Sequence, residues 1–216
     1  MSTIQVLLVE DHPVVRRGIL EILQRAPDIH VVAEVGKGEQ ALDLMRELCP
    51  DVVLLDMELP DISGVEVIRR AREENPQVRI LTLSGHDDAS YIREALKQGA
   101  FGYLVKEEVP EFIIEAIRGV AAGERGWLSR SVAANLLEQM QILEGASITS
   151  VEADILRRVL EGKTNQQIGA ELKLKPKTVE KHLTVIYQKS EKGTSRDRIG
   201  GKFGLSHTIL CCGPGP

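Results

Sequence analysis

The sequence predicts an α/β protein: a five-stranded parallel sheet wound on both faces by helices, followed by a small all-α helix-turn-helix domain. Three observations predict it. Up to about residue 121, short apolar runs alternate with helical periodicities. Beyond that point the strand signals stop and only helical ones remain. The charge changes sign at the same place. Residues 1–121 hold 13 Lys+Arg against 22 Asp+Glu, a net of −9, whereas residues 122–216 hold 14 against 10, a net of +4. Such an asymmetry points to two domains with different partners.

The elements follow in order. IQVLLV (4–9), HVVAEV (30–35), DVVLLD (51–56), VRILTLS (78–84) and GYLV (102–105) are short, bounded and apolar, the pattern of buried strands. Between them Val14, Val15, Ile19, Ile22 and Leu23 recur at helical spacing, as do Ala41, Leu42, Met45 and Leu48. Val65, Val67, Ile68 and Ala71 mark a third helix, Tyr91, Ile92, Ala95 and Leu96 a fourth, and Phe112, Ile113, Ala116, Ile117 and Val120 a fifth. Strand and helix in strict alternation imply βαβ units and a parallel sheet covered on both faces. Residues 122–147 read as a turn, a linker helix and a loop. Thr149 with Glu152, and Thr164 with Gln167, are capping boxes that open two short helices. Pro176 suits the first position of a third, on which Val179, Leu183 and Ile186 share a face. The expected boundaries are 1–121 for the α/β domain, 122–147 for the linker, 148–210 for the helical domain and 211–216 for a tail.

Composition excludes several classes. No apolar run approaches the roughly 20 residues that span a bilayer, and MSTIQVLLVEDHP is too acidic for a secretory signal. Cys49, Cys211 and Cys212 have no metal-ligand spacing and no disulfide framework, which favours a reducing, cytoplasmic location. Gly36-Lys37-Gly38 lacks the Gly-Lys-Ser/Thr of a phosphate loop and opens the second helix instead.

The chemistry lies at the carboxyl ends of the strands, where α/β sheets bind ligands. Glu10 and Asp11 end the first strand and Asp56 ends the third, so three carboxylates converge. They repel unless a positive charge neutralises them. Magnesium suits them, as a hard cation held by carboxylates, water and phosphate oxygens. Ser84 ends the fourth strand with a hydroxyl, and Lys106 follows the fifth with a mobile ammonium. The set fits phosphoryl transfer to Asp56 as a carboxylate nucleophile, with Lys106 and Ser84 contacting the phosphoryl oxygens.

VEDHP, LLDMELPDISGVE, LTLSGHDD and GAFGYLVKE resemble the motifs of two-component response-regulator receivers across residues 1–121. The resemblance implies a flavodoxin-like sheet, Glu10 and Asp11 as metal-site acids, Asp56 as phosphoacceptor and metal ligand, and the Glu58 carbonyl as a further ligand. It also implies Ser84 and Tyr103 as a switch pair, with Tyr103 turning inward after phosphorylation, and a histidine kinase as phosphodonor. The family more often carries Thr where this chain has Ser84.

In PKTVEKHLTVIYQK, the face opposite Val179, Leu183 and Ile186 presents Lys177, Lys181, Thr184 and Gln188, with Thr178 and Glu180 beside it. Such a face can reach phosphates and base edges in the major groove of double-stranded DNA. Residues 148–189 are similar to the LuxR-type helix-turn-helix, so the whole chain resembles a NarL/FixJ-type transcriptional response regulator. The resemblance implies DNA contacts from Glu180, Lys181 and Thr184, a structural His182, and a phosphorylation-dependent homodimer. The chain departs from that family at Val151 (usually Arg), at Gly169 (usually Ala), and after Lys189, where a longer turn and a weakened fourth helix are expected.

Two other readings compete. A signalling adaptor that binds protein rather than DNA follows from the altered C-terminus. A magnesium-dependent phosphohydrolase using Asp56 commonly carries Asp-x-Asp after its first strand, where this chain has VEDHP.

Overall fold

The computed structural model describes residues 3–85, 89–134 and 149–197. Its N-terminal part is a parallel sheet in the order β2-β1-β3-β4-β5-β6. β1 (Ile4–Val9) forms because its residues alternate between two buried layers: Val6 and Leu8 join one core, Leu7 and Val9 the other. β3 (Val52–Leu55) repeats the pattern, with Val52 and Leu54 on one side and Val53 and Leu55 on the other. Apolar residues on both faces mark central strands of a covered parallel sheet.

α1 (Pro13–Leu23) and α5 (Pro110–Ala121) cover the Val6/Leu8 face through Ile19, Leu23, Ile113 and Ile117. α2 (Gly38–Leu48), α3 (Gly64–Glu74) and α4 (Ala89–Lys97) cover the other through Leu42, Met45, Val67, Ile68 and Ile92. Each fully buried Leu or Ile here contributes roughly 1.5–3 kcal/mol relative to exposure. β2 (Ile29–Val35) flanks β1, while β4 (Ile80–Ser84) and β5 (Gly102–Val105) continue beyond β3. The chain thus runs from β1 out to β2, then crosses back to β3. That reversal opens a crevice at the carboxyl ends of β1 and β3.

The sheet has a sixth strand where the sequence predicts a linker. β6 (Trp127–Leu128) pairs in parallel with β5, Gly102 opposite Trp127 and Tyr103 opposite Leu128. Trp127 closes the sheet edge against α5, its ring 5.7 Å from that of Phe112 in an edge-on contact. Two residues carry no measurable period, so burial against α5, rather than pattern, defines this strand.

The helical domain comprises α6 (Ser150–Leu160), α7 (Asn165–Leu172) and α8 (Pro176–Asp197). Both predicted capping boxes form: Thr149 with Glu152, and Thr164 with Gln167. Gly169 has a reason beyond its helix cost. A Cβ there would lie 2.7 Å from the Leu174 carbonyl oxygen, so the tight turn between α7 and α8 requires glycine. Ile155, Leu156, Val159, Ile168, Val179, Leu183 and Ile186 form the buried centre.

The turn expected after Lys189 is absent, because α8 runs unbroken to Asp197. Ser190, Glu191 and Lys192 are compatible with helix, and Gly193 alone costs about 1 kcal/mol, too little to end a helix already propagating. The predicted linker helix within 135–148, the fourth helix and the tail from 198 onward lie outside the described residues. Among the described residues, no helix is long and apolar enough to cross a membrane.

Candidate functional site

The crevice residues are held by the sheet itself. Glu10 and Asp56 each sit one residue past a strand, their N–H groups donating to the carbonyls of Val35 and Val9, both at 2.9 Å. Their side chains are buried, with residue exposures of 1% for Glu10 and 2% for Asp56. The Lys106 N–H donates to the Ser84 carbonyl at 2.8 Å, which fixes the lysine just beyond β5. From there Lys106 Nζ reaches Glu10 Oε2 at 2.7 Å and Asp56 Oδ2 at 2.9 Å. One ammonium therefore bridges two buried carboxylates.

The electrostatics follow from that geometry. Burial pushes the Glu10 carboxyl above the usual carboxylate range, and the nearby Asp56 charge adds to the rise; the Lys106 hydrogen bond opposes it. For Lys106 burial acts downward, but hydrogen bonds to Glu10 and Asp56 outweigh it and hold the ammonium above its ordinary value. A single lysine does not balance Glu10, Asp11 and Asp56 together.

Asp11 supplies the observation that bears on a cation. Its Oδ1 is buried and accepts no hydrogen bond. His12 Nδ1 lies only 2.6 Å from that oxygen, but without the alignment of a hydrogen bond. One ligand atom from each of Glu10, Asp11, His12 and Asp56 lies within 4.8 Å of the others. An orphaned carboxylate oxygen among converging acids fits a divalent cation.

The other predicted residues fall around this centre. Glu58 is exposed on the turn after β3, its N–H 3.3 Å from Asp56 Oδ1, and its side chain stands outside the ligand cluster. Ser84 is buried at the end of β4, beside Val105 of β5. Tyr103 is fully buried on β5, opposite Thr82 of β4. Gly64 permits the turn carrying these residues, because a Cβ would stand 2.8 Å from the Asp56 carbonyl oxygen.

Sequence reasoning missed three residues near these sites. His12 was visible in VEDHP, directly after Asp11, but a lone exposed histidine carries little signal. Asp61 ties the β3–α3 turn to α2, accepting from the N–H groups of Gly38 at 2.8 Å and Glu39 at 3.0 Å. Burial acts upward on its carboxyl, yet these backbone donors outweigh it and hold it below the usual range. Asn165, at the start of α7, is 3% exposed and donates from Nδ2 to the Arg125 carbonyl at 2.6 Å. Only the folded seam between the two parts of the chain reveals that role.

The seam bears on the predicted nucleic-acid face. On α8, Lys177, Lys181 and Thr184 are exposed and Thr178 is half-buried. Glu180 is turned toward the α/β domain: burial raises its carboxyl above the usual range, and the Arg125 N–H bonds to it. Leu183 packs against Gly126, and Gln166 donates to Glu124 across the seam at 3.0 Å. Arg125 stacks its guanidinium on Phe101, 3.8 Å from the ring centre. Among the described residues, His182 is not part of the metal-type cluster. The Gln188 side chain lies outside the described residues.

Comparison with known proteins agrees with both halves. The family described as response regulator receiver domain matches residues 6–118, and that described as bacterial regulatory proteins, luxR family, matches residues 146–206. The chain is 35% identical over 208 residues to the transcriptional regulatory protein DegU of Brevibacillus brevis, covering 87% of this chain and 88% of that one. It is 35% identical over 189 residues to the nitrate/nitrite response regulator protein NarL of Escherichia coli strain K12, covering 85% and 88% respectively. Among solved structures, a LuxR-family two-component response regulator from Aurantimonas sp. SI85-9A1 superposes with a TM-score of 0.62 at 35% identity, over 65% of this chain and 99% of that one.

Proposed function

This chain belongs to the two-component response regulators that join a receiver to a LuxR-family DNA-binding domain, and from that membership we propose that Asp56 is the phosphoacceptor controlling its action as a transcription regulator. The observation that carries the proposal is the Lys106 bridge between buried Glu10 and Asp56, beside the orphaned Asp11 oxygen. The luxR-family match over 146–206 favours DNA binding over the adaptor reading.

An Asp56 carboxylate oxygen attacks the phosphorus of a phosphohistidine on the partner kinase. A P–O bond forms as the donor's P–N bond breaks, and the histidine nitrogen leaves with the electron pair. Lys106, hydrogen-bonded to Asp56 in the resting site, is positioned to follow the phosphoryl oxygens once the charge has moved onto them. Ser84, at the neighbouring strand end, offers its hydroxyl to the same group. Glu10, Asp11 and Asp56, with the Glu58 carbonyl, would hold magnesium, which when bound supplies charge neutralisation between carboxylate and phosphoryl oxygens.

Lys177, Thr178, Lys181 and Thr184 would meet DNA, with Gln188 further along α8. Glu180 joins them only after leaving Arg125. Phosphorylation would then act by releasing the seam, by pairing two receivers into a homodimer, or both. Genome-wide DNA pull-down with phosphodonor-treated protein tests this, comparing wild type with Asp56→Asn. Wild type should gain sites on phosphodonor treatment and Asp56→Asn should not. Equal gain by both would refute the assignment of Asp56.

A further inference from the structure

We propose that His12 sets the metal preference of the receiver's cation site, drawing first-row transition ions such as cobalt(II) into a cluster that carboxylates alone would offer to magnesium. This rests on the metal-assisted reading of Asp56 given above.

The argument begins with two atoms. His12 Nδ1 and Asp11 Oδ1 are 2.6 Å apart, and Nδ1 is 3.6 Å from Glu10 Oε1. The ring nitrogen is therefore turned into the cluster, although the residue as a whole is solvent-facing. Asp11 Oδ1 is buried and receives no aligned hydrogen bond, although His12 Nδ1 stands directly beside it. A cation with metal–ligand distances of about 2.1 Å places adjacent ligands about 3 Å apart. The pair needs to open by only a few tenths of an ångström to admit one.

The position is held by the backbone. His12 is the residue before α1, its own N–H donates to Glu10 Oε1 at 3.2 Å, and Pro13 fixes the chain that follows. The imidazole thus shares a tether with one of the acids it faces.

The chemistry decides which ion gains. Magnesium binds oxygen and keeps its waters, so a nearby imidazole adds little to its affinity. Cobalt, nickel and zinc accept imidazole readily, and each exchanges a water for nitrogen at a gain. With His12 the site holds one borderline donor among hard ones, and its selectivity shifts along that series.

The test uses the untagged full-length protein. Magnesium and cobalt(II) are titrated separately by calorimetry into wild type, His12→Ala, His12→Gln and Asp11→Asn. The ratio of cobalt to magnesium affinity should fall about tenfold or more in both His12 variants, the loss being on the cobalt side. Asp11→Asn should weaken both ions, which ties the cobalt to this cluster. In NMR, cobalt should shift the ring signals of one of the five histidines, and that signal should be missing from His12→Ala. If magnesium binds but the ratio is the same in all His12 forms, the role of His12 is overturned and the phosphoacceptor reading stands. If neither ion binds wild type, both fall together.

Discussion

Lys106 serves two carboxylates at once, so its removal tests the charge balance of the crevice more sharply than loss of either acid. Lys106→Met leaves Glu10 and Asp56, each almost fully buried, facing one another with no cation between them. Uncompensated buried charge destabilises by about 3–5 kcal/mol where burial is complete, and somewhat less here because Asp11 opens to solvent. The variant should melt well below wild type in chelator, and magnesium should raise its melting temperature by more than it raises that of wild type. Equal magnesium shifts in the two proteins would show that Lys106 and the cation do not share these carboxylates. Asp61 works differently, because its partners are backbone N–H groups of another element. Its influence on the site passes through the turn it anchors.

Helix ends dominate at the scale of elements. α6 begins with a reciprocal box in which Thr149 Oγ1 accepts from the Glu152 N–H and Glu152 Oε2 accepts from the Thr149 N–H. Lys189 of α8 adds bonds to both Glu152 oxygens at 2.8 and 2.7 Å, so the box also staples α6 to the later turns of α8. Thr149→Ala should destabilise the helical domain by about 1 kcal/mol, read from chemical denaturation. A pH dependence follows from Glu152. Burial acts upward on its carboxyl, but Lys189 and Thr149 outweigh it and leave it below the ordinary glutamate value of 4.5. A carboxyl depressed on folding contributes stability that is complete above its unfolded value and lost as pH falls through the lower, folded one. Acid titration from about pH 4.5 downward should therefore destabilise wild type more steeply than Glu152→Gln, in which that group no longer titrates. Parallel curves would mean that the staple contributes nothing. These boxes were legible because Thr-x-x-Glu and Thr-x-x-Gln are local patterns. β6 was not, since its two residues are recruited by Gly102 and Tyr103 from far along the chain.

At the scale of the whole molecule the two parts meet along one seam. Asn165 and Gln166 at the start of α7, with Glu180 and Leu183 on α8, engage the segment 124–126 that leads into β6. The edge of the receiver sheet and the dock for the DNA-binding domain are thus one stretch of chain. Asn165→Ala removes a buried hydrogen bond across it, a loss of about 1–1.5 kcal/mol for the closed arrangement. Unphosphorylated Asn165→Ala should bind duplex DNA several-fold more tightly than unphosphorylated wild type, with the same salt slope, because no phosphate contact changes. Thermal melting of the same samples separates release of the seam from damage to the domain. Unchanged or weaker binding by a stably folded variant would show that the seam does not restrain α8.

The sequence by itself determined the alternation of strands and helices, the acids and lysine at the strand ends, and the capped helices of the second domain. These features depend on periodicity and on neighbours a few residues away, which a linear pattern retains. Only the tertiary structure decided that Lys106 joins Glu10 to Asp56, that His12 turns its ring toward Asp11, that Trp127 and Leu128 extend the sheet, and that Glu180 faces the receiver. The first, third and fourth depend on distance and burial between separate elements and the second on how one ring is oriented in a packed crevice, and none of these exists until the layers have packed.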